Sequence, residues 1–221
     1  MTTTVPERLT CPHCGSQFTV QVIASYTRLD SDTDFRPNFA GMDILEFQIH
    51  TCAGCGFSGV SNDFNGTVPP DAARLIDERL TPLVRDERSD ASRRYEYAAW
   101  IAEWRGLGDR AVADHYLRAA WCSRDSAGAV RNHQDSYYRG KAIEHFERVL
   151  ANDTAGTETA AITYLIGELY RRNGAFDEAR SWFAEAVKVV GDDDEQKWVA
   201  DIADAQAKLA LRGVTGDHPG H

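Results

Sequence analysis

The stretch Ala161-Ile-Thr-Tyr-Leu-Ile-Gly167-Glu-Leu-Tyr170-Arg-Arg-Asn-Gly174-Ala-Phe176-Asp-Glu-Ala179-Arg-Ser-Trp-Phe183-Ala-Glu-Ala186 reads as two helices joined at Gly174. Small residues at 167, 179 and 186 let the two helices approach closely. The larger Tyr170 and Phe183 then fill the space between them. A single unit of this kind cannot bury its apolar face alone, so stacked neighbours are expected.

Upstream the pattern recurs. Trp104 stands where Tyr170 does, Gly108 where Gly174 does, and Ala113, Leu117 and Ala120 where Ala179, Phe183 and Ala186 do. A degraded third copy ends in Ala142, Phe146 and Val149, with a first helix around Asp125 to His133 that matches poorly. A final helix with Trp198, Val199, Ile202 and Leu209 on one face reads as a terminal cap. The unit resembles the tetratricopeptide (TPR) repeat, a helix–turn–helix of about 34 residues. The resemblance implies a concave helical surface of the kind that holds peptides.

Working outward, Thr67-Val-Pro-Pro-Asp71 marks a boundary: the prolines stop any strand, and Asp71 is placed to cap a helix from Ala72. Residues 69–212 are therefore expected as a TPR-like helical domain and 213–221 as a flexible tail. Residues 1–68 are expected as a zinc-ribbon-like metal-binding domain, with 11–66 its compositionally distinct part. Within the domain, residues 1–10 read as a flexible lead. Phe18, Val20 and Val22 alternate with polar neighbours, as do Leu45, Phe47 and Ile49, which predicts two half-buried strands. The polar stretch Arg28 to Asp43 between them, with Pro37 and Gly41, reads as a long loop. The expected fold class is α+β, mainly α: a small β zinc-ribbon-like domain followed by the helical repeats.

Cys11-Pro-His-Cys14-Gly15 and Cys52-Ala-Gly-Cys55-Gly56 are two knuckles of one form. Each offers two sulfurs at a tight turn, and the trailing glycine permits a backbone conformation that other residues resist. Four thiolates complete the tetrahedral shell of a closed structural zinc site, so one zinc per chain on Cys11, Cys14, Cys52 and Cys55 is expected. An iron centre uses similar ligands and stays open, as does redox or disulfide use. A thioredoxin-like pair would need a strand–helix context that neither knuckle shows. His13 and His50 lie near the knuckles and are expected beside the ligand shell or on the surface. Cys122 has no partner in sequence and reads as a small buried residue.

The formal net charge is −10, with a pI near 5.1. Before residue 69, Arg8, Arg28 and Arg36 stand against Glu7, Asp30, Asp32, Asp34, Asp43, Glu46 and Asp63. This balance argues against nucleic acid as the partner, since phosphate neutralisation supplies most of that affinity. No apolar run approaches a bilayer span, and the first residues lack the regions of a signal peptide, so a cytoplasmic protein off the membrane is expected. Asp30-Ser-Asp32-Thr-Asp34 imitates the opening of a calcium loop, but Phe35 occupies the turn-glycine position and Gly41 the final acidic one. Gly106-Leu-Gly108 joins two helical patterns instead of following a strand, which removes the dinucleotide reading.

Together CPHCG, Asp32-Thr-Asp34-Phe35-Arg-Pro37-Asn-Phe39-Ala-Gly41, Cys52-Ala-Gly-Cys55-Gly-Phe57 and Asp63-Phe64 resemble an uncharacterised bacterial domain-of-unknown-function family, number 2225. The resemblance covers residues 9–66 well and the helical region loosely, and implies a zinc-ribbon-like N-terminus with TPR-like helices after it. No activity comes with it. Asp34, Phe35, Arg36 and Pro37 are the candidate binding loop, set against a purely structural reading in which Phe35 and Phe39 pin the loop down. The leading functional expectation is a non-enzymatic adaptor gripping a protein or peptide. A nucleic-acid-binding ribbon is the alternative, and an enzyme using Asp34, Arg36 or His50 the third.

Overall fold

The computed structural model describes residues 2–86, 89–124 and 129–216, and shows a mainly α protein with a small β part. Two compact units divide it. One comprises Met1–Asp30 and Asn38–Tyr138, the other Ser31–Pro37 and Arg139–His221.

In the first unit, β1 (Thr3–Thr10) pairs antiparallel with β2 (Gln17–Ser25), setting Leu9 opposite Phe18 and Glu7 opposite Val20. The expected flexible lead is thus a strand. Its β-branched run Thr2-Thr3-Thr4-Val5 suits a pleated backbone, and Pro6 is tolerated because a two-stranded ribbon leaves one edge free of bonding demand. The expected loop between residues 28 and 43 is another ribbon, β3 (Arg28–Ser31) with β4 (Pro37–Phe39).

The second expected strand is corrected too. Leu45–Gln48 is a helical turn, α1. The Asp43 carboxylate accepts the Leu45 N–H at 2.9 Å, which starts the turn, and Ile44, Leu45 and Ile49 are buried around it. Only His50–Thr51 (β5) is extended, pairing antiparallel with Ser58–Gly59 (β6).

Pro69 and Pro70 end the β part, but the helix begins at Pro70 itself, with Asp71 inside the first turn of α2 (Pro70–Leu75) and not capping it. Proline at the first helical position loses no hydrogen bond. A π-helical turn, Ile76–Leu80, leads into α3 (Thr81–Asp86). Asp90 then caps α4 (Ala91–Trp104) by accepting the Arg93 N–H at 3.0 Å. α4 packs on α5 (Asp109–Arg124), burying Ala113, Leu117 and Ala120 as their spacing predicted. Cys122, on α5, is only partly buried. α6 (Ala129–Ala151) follows; Asp125–Gly128 of the expected third repeat lie outside the described residues.

The second unit is built on α7 (Thr159–Arg172), α8 (Phe176–Val190) and α9 (Lys197–Leu211), packed in sequence. Its core holds Tyr164, Ala179, Phe183, Ala186, Val199 and Ala203. Gly174 turns the chain with φ +77°, as an αL position after a helix requires. A Cβ on Gly167 would lie 2.8 Å from the Phe183 ring, so this glycine sets how closely α7 and α8 approach. Gly167→Ala should therefore destabilise the protein by about 1–2 kcal/mol, because overpacking outweighs the gain in helix propensity. Gly140→Ala, in α6 with open space around it, should stabilise by about 0.5–1 kcal/mol. Opposite shifts of the urea midpoint are the check.

Candidate metal centre

Both knuckles fold the same way. The Cys11 N–H donates to Ser16 O and the Gly15 N–H to Cys11 O, each at 2.9 Å; the Cys52 N–H donates to Phe57 O and the Gly56 N–H to Cys52 O, each at 2.8 Å. Gly15 and Gly56 take φ of +74° and +83°. The two turns bring all four sulfurs within 4.8 Å of one another, with Cys11–Cys55 and Cys14–Cys52 each at 3.6 Å. A disulfide would need about 2.05 Å. A tetrahedral thiolate shell with metal–sulfur bonds of about 2.3 Å has edges near 3.8 Å, so the four sulfurs fit a metal ion closely.

Without a cation, the crowded thiols of Cys11, Cys52 and Cys55 divide their protons unequally. Hydrogen bonds from Cys11 and Cys55 hold Cys52 far below the usual thiol range, at about 2. Cys55 is pushed up by its hydrogen bonds to Cys11 and Cys52 and by burial. Cys11 rises to about 11, chiefly through its hydrogen bond with Cys52. Only a cation among them lets all four ionise together.

The surroundings are core on one side and open on the other. Cys11, Cys52 and Cys55 are buried with Leu9, Phe57, Phe64 and Leu80, while Cys14 is exposed. Thr81 Oγ1 donates to Cys55 O at 3.1 Å, tying α3 to the second knuckle. Leu80 sits where a Cβ on Gly56 would be, 2.9 Å from the Leu80 Cβ and 3.2 Å from a Val84 methyl; nothing approaches Gly15 within 4 Å. Gly56→Ala combines αL strain with overpacking and should cost about 3 kcal/mol or more, whereas Gly15→Ala should cost only about 1–2 kcal/mol of αL strain. Urea unfolding of both variants, with metal content measured alongside, tests the difference.

The histidines stand outside the shell. His13 Nε2 lies 2.7 Å from the Asp77 carboxylate. His50 is buried 3.3 Å from Ser61 Oγ, whose proton is donated to Glu7 at 2.8 Å. Burial, then the nearby Arg94 charge, lowers the pKa of His50 against the opposing pull of Glu7. Ser61 thus gives its proton to Glu7 and not to the histidine. That is not the proton flow a nucleophilic serine needs. Residues of this trio had no spacing signal in the sequence.

Asp34, Phe35, Arg36 and Pro37 belong to the second unit, and the four cysteines to the first. Asp34 and Arg36 are buried, Asp34 with its carboxylate 3.5 Å from Arg172 Nε; the Phe35 ring meets Tyr164 and Trp198, and Pro37 opens β4.

Residues 5–209 match the family described as uncharacterized proteins conserved in bacteria, DUF2225. No curated protein and no solved structure matches. Among the described residues, no helix is long and apolar enough to cross a membrane.

Proposed function

We propose that this chain, which belongs to that family, is a zinc-stapled adaptor whose TPR-like helical surface holds a protein or peptide partner. Four sulfur ligands leave no open position on a tetrahedral ion, which supports a structural metal and, for this donor set, zinc. The observation that carries the adaptor reading is a stripe on α7. Tyr164, Glu168 and Arg172, at i, i+4 and i+8, bind a turn of the chain that lies 131 residues earlier in sequence at its first contact. A helical face that already reads a peptide turn through backbone and side-chain hydrogen bonds has the equipment for recognition.

Elemental analysis of purified protein and affinity capture from a bacterial lysate test the two halves together. About one zinc per chain is expected, with a reproducible interactor that is lost when the exposed Trp198 of α9, whose ring meets Phe35 of that turn, is changed to Ala. Iron in the preparation would sink the zinc half. Interactors indifferent to Trp198, or none that repeat, would sink the adaptor half.

A further inference from the structure

The turn seated on α7 and α9 spans Asp32–Arg36. The Phe35 N–H donates to Asp32 O and the Asp32 N–H to Arg36 O, each at 2.9 Å, the pattern of a three-residue hairpin loop. In such loops the last turn residue is αL and is normally Gly or Asn. Here it is Phe35, with φ +65°. An aromatic residue in that conformation is strained, and the strain persists only where the surroundings impose it.

Those surroundings meet the three central residues of the turn. Tyr164 donates its hydroxyl to Thr33 O at 2.6 Å. Thr33 Oγ1 donates to Glu168 at 2.5 Å and accepts from Arg172 Nη2 at 2.9 Å. Asp34 faces the Arg172 guanidinium. The Phe35 ring lies 5.3 Å from that of Tyr164 and 6.0 Å from that of Trp198. Trp198 nevertheless remains 50% exposed, so the face extends beyond what the chain's own turn covers.

We propose that this face is a receptor for a β-turn carrying Thr-Asp-aromatic. The chain's own turn holds it in cis, and a partner protein presenting the same turn competes for it. The inference rests on the adaptor reading and names its partner's chemistry. The strain at Phe35 weakens the cis occupant, which keeps the chain's own turn displaceable.

The test uses the full chain and a labelled cyclic peptide of residues 28–39. In wild type the tethered turn competes at an effective concentration in the mM range, so the peptide should bind at least ~10-fold more weakly than to a Thr33→Ala/Asp34→Ala/Phe35→Gly variant. For that variant a Kd of order 10 μM is expected, with a further loss of at least ~10-fold on adding Trp198→Ala. Should the triple variant lose its helical signal, Phe35→Ala alone, which removes the ring and keeps the αL strain, is titrated under the same criteria. No binding up to ~1 mM by a folded variant, or equal binding by wild type, overturns the proposal. Peptide failure with Trp198-dependent partner capture intact overturns this inference alone. Peptide binding without such capture overturns the broader reading.

Discussion

Replacing Cys55 by serine is expected to abolish metal retention and to remove the cooperative unfolding transition of the cysteine-bearing unit. Cys55 is buried beside Cys11 at 3.6 Å and packs in the same core as Phe57, Ile76 and Leu80. Water cannot readily take its place there. Tetrathiolate sites in comparable motifs contribute on the order of 10 kcal/mol or more, which matches or exceeds the whole stability of an ordinary domain. Cys14→Ser should be milder, because Cys14 is exposed and a water molecule can complete the shell. Acid should mimic the stronger variant. Metal binding displaces thiol protons, so affinity falls as pH falls and protons reclaim the sulfurs. Elemental analysis after gel filtration, with thermal melts at matched pH, measures all three. A Cys55→Ser protein that keeps its metal and melts like wild type would remove the metal from the account of stability.

The cysteines were legible because a knuckle is local. Two sulfurs two residues apart with a following αL glycine need no tertiary information, and the matching hydrogen bonds at Cys11 and Cys52 show how closely the local pattern determines the turn. The helix pairs were legible for a similar reason: Gly167 and Phe183 are complementary in size, and both lie in one short stretch. Leu45-Phe47-Ile49 misled because spacing of two also contains a spacing of four. Residues 45 and 49 can share the buried side of a helical turn, and the Asp43 cap decides in its favour. The β3–β4 ribbon left no mark because its αL position carries Phe35, where Gly or Asn would have announced a hairpin. The strain there is imposed by α7 and α9, and nothing near residue 35 in sequence encodes it.

Charge on α7 misleads most. Glu168, Arg171 and Arg172, spaced as i, i+3 and i+4, have the pattern of a solvated helix face, yet Glu168 and Arg171 are wholly buried and Arg172 nearly so. Glu168 accepts from Arg171 through both carboxylate oxygens, at 2.7 and 2.8 Å, and from Arg172 Nε at 2.8 Å. Asp34 supplies a second carboxylate, 3.5 Å from Arg172, and Arg171 extends to Val214 O and Gly216 O at 2.6 and 2.9 Å. Two guanidiniums and two carboxylates thus meet in a place water does not reach, and they tie the turn and the segment after α9 to one helix.

Glu168→Ala removes the buried carboxylate that Arg171 and Arg172 share. Breaking a buried pair from one side typically costs about 3–5 kcal/mol, and two cations stranded together put this site at the upper end. Glu168→Gln keeps an acceptor oxygen but loses the charge, and should cost about half as much. The informative variant is Glu168→Leu/Arg171→Met, which removes one charge of each sign and leaves Arg172 with Asp34. Apolar replacement of a whole buried pair is often close to neutral, so the double variant should be more stable than Glu168→Ala despite changing more atoms. Urea denaturation followed by far-UV circular dichroism ranks the three. If the double variant proves the least stable, the network's value lies in the hydrogen bonds from Arg171 to Val214 and Gly216 and from Thr33 to Glu168, and charge balance is the lesser part.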